Sequence, residues 1–208
     1  MTGQTERELV QRDTAARLFR LQHLPEHRQK AALANLRRGV GRVPGELPEL
    51  WGEFLLEFPP ELESESGVPT KAEWAVYLAV TLFALHQQGR DPGREPMHRD
   101  GQSLGRAVRL LVKPGEDPQD APVLRRFQAL TSAASMQEAA QHLRGMIQLL
   151  RSGGIPLDYV GLASDLYDLQ FQTSSQRVRL RWGQDYYRAP ADDGQTNDQT
   201  KEGKGKQE

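Results

Sequence analysis

Cysteine is absent from the 208 residues. That removes disulfides, thiolate metal ligands and cysteine nucleophiles from consideration. β-Branched residues are scarce: 11 valines and 2 isoleucines stand against 27 leucines and 19 alanines. Such a balance favours helices over strands and predicts an all-α chain. Long apolar runs are also missing. The longest, residues 72–85, contains Glu73 and falls short of the ~20 residues that span a bilayer. The N-terminus shows no apolar segment of the kind found in secretory signals, so a cytoplasmic location is expected, without membrane partners. Lysine is rare as well: 6 lysines accompany 21 arginines, and three of those lysines lie within residues 189–208. Guanidinium forks suit phosphates better than ammonium groups do.

What is present is charge, unevenly spread. Residues 1–45 carry 9 basic and 4 acidic groups, and residues 46–75 carry 1 and 8. Residues 76–115 carry 6 and 3, and residues 116–188 carry 8 of each. The formal net charge of −1 therefore hides a basic stretch beside an acidic one. This is compatible with nucleic acid on one face and protein on another.

Helix signals recur along the chain. Residues 5–22 read as an amphipathic helix with Leu9, Ala16, Leu18 and Phe19. Pro25 opens a second helix, with Ala32, Leu33 and Leu36 on one side and Gly39 at its end. Pro48 opens a short third helix, stopped by Pro59-Pro60, and the acidic, serine-bearing 61–69 segment reads as a mobile loop. Thr70 and Glu73 form a capping box for a helix over 71–88 that is apolar nearly all round, hence central and buried. A charged loop follows over 89–101. Ser103 then caps a helix to 112, and further helices are expected over 123–131, from Ser135 to 150, and from Pro156. Residues 177–182 alternate as a strand would. However, Val178, Trp182 and Tyr186 share a helical stripe and a lone strand has no pairing partner, so helix is the prediction. Residues 189–208 read as disordered by composition.

Motifs for catalysis are thin. His23 and His27 have helical metal-pair spacing, but Pro25 lies between them and no third ligand is near. Gly39-Val40-Gly41 follows no strand and precedes no Gly-Lys-Ser/Thr, so a phosphate loop is unsupported. Asp165 and Asp168 share a helix without evident partners for hydrolysis, and Asp158 is explained by a helix start. No metal, cofactor or enzymatic site is expected. A helical adaptor working through the acidic 46–75 surface, with Glu49, Glu53 and Glu57, is the main alternative to a phosphate-binding role.

The arginines are the informative set. Arg37 and Arg38 close a helix before a glycine-rich loop that carries Arg42. Arg106 and Arg109 are three apart on one helix, Arg125 and Arg126 follow a proline start, and Arg144 lies within another helix. Helix-terminal cations are favoured by the dipole, which accounts for one arginine more easily than three. With no aromatics interleaved, the pattern fits contact with nucleic-acid backbone and not base stacking.

The chain resembles the CasB family, the small subunit of the type I-E CRISPR interference complex, Cascade. The likeness is carried in order by Ala34-Asn35-Leu36-Arg37-Arg38 with Leu47-Pro48, and by the Trp74–His86 helix. It continues through Ser103-Leu104-Gly105-Arg106-Ala107, Leu124-Arg125-Arg126-Phe127 and His142-Leu143-Arg144. Leu149-Leu150-Arg151, Pro156-Leu157-Asp158-Tyr159 and Trp182-Gly183-Gln184-Asp185-Tyr186-Tyr187 complete it. The resemblance implies an all-helical bundle of about eight to nine helices in two packed halves, 1–100 and 101–188. It implies a subunit without catalytic activity that holds guide RNA, target DNA and the displaced strand, alongside other Cascade subunits and a second copy of itself. The positions matching family contacts are Arg37 and Arg38, with Lys71, Arg106, Arg125, Arg126 and Arg144 as further candidates. Arg42 and Arg109 are added from spacing. Gly145 stands where some members carry a second basic residue, so the track is expected to be thinner there.

Overall fold

The computed structural model describes residues 4–188. Among them are nine α-helices and no strand. They are α1 (Glu6–His23), α2 (Glu26–Arg38), α3 (Trp51–Phe54), α4 (Lys71–His86), α5 (Leu104–Arg109), α6 (Pro122–Thr131), α7 (Met136–Gly153), α8 (Tyr159–Asp168) and α9 (Gln172–Tyr187). The 189–208 tail expected to be disordered lies outside the described residues.

Helix α4 is the axle. Thirteen of its side chains are buried, including Tyr77, Leu78, Leu82 and Phe83. A helix with no polar face must be covered on all sides. Here α1, α2, α7 and α8 supply the cover. Its start is the capping box read from sequence: the Glu73 amide donates to Thr70 Oγ1 at 3.0 Å, and the Thr70 amide donates to Glu73 Oε2 at 2.6 Å. The remaining helices pair as α5 on α9 and α6 on α7. Trp182 and Tyr186 of α9 are fully buried against Phe127 of α6.

Several expectations need correction. The 61–69 segment, expected as a loop, is anchored near its start and exposed over residues 65–68. Leu62 is buried, the Ser64 amide donates to Glu73 Oε1, and Thr70 Oγ1 donates to the Leu62 carbonyl at 2.8 Å. Helix α8 starts at Tyr159 and not at Pro156, because Asp158 is the N-cap and accepts from the Gly161 amide at 2.8 Å. The inward face of α1 is not the expected apolar set. Phe19 is 63% exposed and Ala16 is exposed, while Asp13, Thr14 and Arg17 are buried. Arg17 explains the inversion. Its Nε donates to Asp13 at 2.6 Å, its Nη1 donates to the Glu53 carbonyl at 3.0 Å, and the rings of Phe54 and Phe58 flank it. A charge so paired and stacked can occupy a core position that an apolar side chain would otherwise fill.

Candidate nucleic-acid interface

The predicted cations fall into two groups. Arg38 pairs with Glu49 at 2.6 Å, Arg42 with Glu46 at 3.0 Å and Arg106 with Asp185 at 3.5 Å. Arg37, Lys71, Arg109, Arg125, Arg126 and Arg144 have no carboxylate within 4 Å among the described residues. Exposed ion pairs are worth about 0–1 kcal/mol, so a phosphate can displace Glu49 from Arg38 and Glu46 from Arg42, whereas Asp185 is buried and also accepts from Ser103 Oγ.

Local structure places each one. Arg125 and Arg126 lie on the outer face of α6, opposite the buried Val123, Leu124, Phe127 and Leu130. Pro122 fixes the first turn, and both arginines sit near the positive end of the helix dipole. Arg144 is exposed midway along α7, which packs against α6. The dipole therefore explains none of these three. Arg37 differs: it ends α2, where the dipole welcomes it, and it is half-buried. Burial first, and then the Arg151 guanidinium, pull its pKa below the ordinary arginine value.

Two candidates serve partly structural ends. Lys71 Nζ lies 4.0 Å from the centre of the Phe171 ring. Its side chain lines a groove of about 320 Å³ together with Arg179 of α9. Arg109 is half-buried near Tyr186, and its Nε has no hydrogen-bond partner.

Sequence reasoning missed Arg151, Arg177 and Arg179. Arg177 and Arg179 are exposed on α9. No carboxylate lies within 4 Å of any of the three among the described residues. The alternating Arg177-Val178-Arg179-Leu180-Arg181 run carries the signal, but its period bears first on the choice between strand and helix.

The carboxylates are structural. Asp165 is buried and accepts from Trp182 Nε1 at 2.6 Å and from Arg181. Burial pushes its carboxyl up to about 6, against the opposing pull of Arg181. Asp168 pairs with Arg7 at 3.0 Å. His98, Asp100 and Asp158 bring three ligand atoms within 4.8 Å of one another. Yet His98 Nδ1 accepts from the Tyr159 amide at 3.2 Å, so the proton of the neutral ring sits on Nε2, facing Asp100 at 3.2 Å. Asp158 spends both oxygens on the Gly101 and Gly161 amides. No imidazole lone pair is left for a metal. The cluster instead fastens the 89–101 loop, which also bridges to Leu157 through the Met97 carbonyl and Arg99 amide.

Taken together, the geometry defines a helical protein with a dispersed cationic surface. The sequence model of the CRISPR-associated protein Cse2 family matches residues 32–187. The crystal structure of CasB from Thermobifida fusca is 34% identical, with a TM-score of 0.71, over 86% of this chain and 98% of that one. A CRISPR-associated protein of the Cse2 family from Thermus thermophilus is 26% identical, with a TM-score of 0.63, over 85% and 97% of the two chains. A structure of CasB, also from Thermus thermophilus, is 25% identical, with a TM-score of 0.61, over the same shares. No curated protein matches significantly. The chain belongs to the Cse2 family of CRISPR-associated proteins, as the order of its motifs implied.

Proposed function

We propose that this chain is the non-catalytic small subunit of a type I-E Cascade complex, acting in the cytoplasm. It holds nucleic-acid backbone through an arginine track and so stabilises the guide RNA–target DNA R-loop and the displaced strand. One observation carries the reading beyond family membership. Arg125, Arg126 and Arg144 stand exposed on the packed α6–α7 pair, with no carboxylate within 4 Å among the described residues and no helix C-terminus to account for them. Three uncompensated guanidinium groups on one helix pair favour a polyanion as partner.

The energetics suit the role. R-loop formation exchanges one duplex for another of similar stability, so a small added backbone attraction shifts the balance. Base pairing reads the sequence, and the subunit has no need to. Other subunits, and a second copy, are expected at surfaces apart from the track. The exposed Trp51, Leu55 and Leu56 are candidates, since exposed apolar patches mark protein contacts. A purely acidic adaptor surface over 46–75 is less favoured, because Glu46, Glu49 and Glu57 already face arginines of the same chain.

The test is the R-loop lifetime of Cascade assembled with Arg37→Ala/Arg38→Ala or with Arg125→Ala/Arg126→Ala. Dissociation several-fold faster than wild type, with assembly intact, is expected. An unchanged lifetime in both variants contradicts the reading.

A further inference from the structure

The eight acids of residues 46–75 do not all find a partner. Glu46, Glu49 and Glu57 meet arginines. Glu53, Glu61, Glu63, Glu65 and Glu73 have no cation within 4 Å among the described residues. The one base of the stretch, Lys71, lies over the Phe171 ring instead. Beside these acids opens a groove of about 300 Å³, lined by Pro44, Phe54, Leu55, Pro69, Glu63 and Glu73, among others.

The groove joins buried charge to apolar surface. Glu73 is 7% exposed, and its carboxylate accepts only backbone amides, from Ser64 at 3.2 Å and Thr70 at 2.6 Å. Those amides and the start of α4 offer partial positive charge and no full one. Each oxygen keeps a second lone pair. Glu63 is exposed on the same groove, and Phe54 gives it a buried apolar wall. Around the mouth, large apolar side chains stay in water. Val68 stands exposed between the lining residues Gly67 and Pro69. Leu55 is exposed, as is Trp51, whose Nε1 donates to the carbonyl of the lining residue Gly45 at 3.1 Å. Buried Arg17 fixes this edge from beneath, donating to the Glu53 carbonyl at 3.0 Å and the Leu56 carbonyl at 3.5 Å. An edge held in place before binding loses less entropy on binding.

We propose that this groove seats one arginine of a different protein subunit, with apolar neighbours of that arginine resting on Trp51, Leu55 and Val68. The methylene stem packs on Pro44, Phe54, Leu55 and Pro69, and the guanidinium meets Glu63 and faces Glu73. A guanidinium suits the site better than an ammonium, because it sheds water more readily and forks onto carboxylates. The volume lies at the small end of ligand pockets, which suits one long side chain. The exposed apolar side chains around the mouth point to a protein and not to a free cation. The unpaired arginines of this chain serve the polyanion, so a second copy is not the occupant. The inference rests on the reading of the chain as a Cascade subunit and names the chemistry of one partner contact.

The experiment assembles the complex with the full chain carrying Leu55→p-benzoylphenylalanine, irradiates it and maps the crosslink. A crosslink to an arginine-bearing segment of another subunit is expected. A crosslink to nucleic acid, to a second copy or to a segment without arginine overturns the proposal, as does none at all. Glu63→Gln is read beside it as retention in the complex over a salt series. Loss roughly tenfold faster than wild type is expected, the value of a charged hydrogen bond, with the gap narrowing as salt rises. Equal retention at every salt overturns the proposal. Glu63→Arg should be lost faster still and recover when the crosslinked arginine is changed to glutamate; no recovery overturns the pairing. Glu73 is left intact in every variant, because it starts α4. Single-stranded DNA binding by free Glu63→Gln should equal wild type, and a tenfold fall there overturns a protein occupant. A wild-type chain that never enters the complex overturns the subunit reading and the groove with it, whereas entry without the crosslink overturns the groove alone.

Discussion

At the residue scale, two buried ionisable groups pull against each other as pH changes. Burial, with Arg90 adding to it, pushes His86 down to about 4, while its Nδ1 sits 2.9 Å from the Tyr159 hydroxyl. Its unfolded value is near 6.5, so the folded state resists protonation. Stability from His86 is full above pH 6.5 and is lost as pH falls toward 4. Asp165 behaves in the opposite way. Its folded value of about 6 exceeds the unfolded 3.8, so lowering pH through 6 stabilises the fold until 3.8 is passed. Each effect amounts to about 3 kcal/mol at roughly 1.36 kcal/mol per unit. Urea unfolding between about pH 7 and 4 should therefore show wild-type stability changing little from these two groups. Asp165→Asn should lose stability as pH drops, and His86→Gln should gain it. The same slope in both variants contradicts the assignment. Arg17 gives a second residue-scale prediction. Arg17→Ala strands the buried Asp13 and frees the Glu53 carbonyl, at a cost of about 3–5 kcal/mol. Denaturant melts should show Asp13→Ala/Arg17→Ala recovering part of that loss.

At the element scale, the caps were legible and the close approaches were not. Thr70, Ser103 and Ser135 start their helices where the sequence placed them, and the left-handed Gly154 (φ 65°) ends α7. Helix α9 was readable too, because Val178, Trp182 and Tyr186 share a stripe and all three are buried. What sequence could not supply is which helix touches which. Gly105 reads as part of the Ser103 cap, yet its place is set by α9. A Cβ there would overlap the Trp182 carbonyl oxygen, and Ser103 Oγ donates to Asp185 of α9 at 2.7 Å. Gly39 likewise reads as a helix end, but a Cβ on it would lie 2.6 Å from the Tyr77 hydroxyl and 2.7 Å from Leu50 Cδ1. Both glycines are packing requirements, invisible without the partner helix. Overpacking costs about 1–3 kcal/mol where side chains can yield, and more where backbone must move. Thermal melts should therefore show Gly105→Ala falling further than Gly39→Ala, and the reverse order contradicts the account.

At the scale of the whole molecule, charge is where the sequence was most misleading. By sequence, the basic 1–45 and acidic 46–75 stretches suggest two faces. In the fold they partly cancel: Arg20 meets Glu57, Arg38 meets Glu49 and Arg42 meets Glu46. The balanced 116–188 stretch instead leaves Arg125, Arg126, Arg144, Arg151, Arg177 and Arg179 without carboxylate partners within 4 Å among the described residues. Net charge per segment cannot reveal this, since it depends on which acids are spent on caps and buried bonds, as Glu138, Asp158 and Asp165 are. The candidate track was thus legible in part through motif order, and its uncompensated members only through the fold. The most direct test is fluorescence anisotropy of the full chain with labelled single-stranded DNA across a salt series, beside Arg125→Ala/Arg126→Ala/Arg144→Ala. Binding that ignores sequence and a log–log slope shallower by about 2 in the variant, at roughly 0.7 per lost phosphate contact, is the predicted result. Identical affinity and slope for the two proteins would contradict the account.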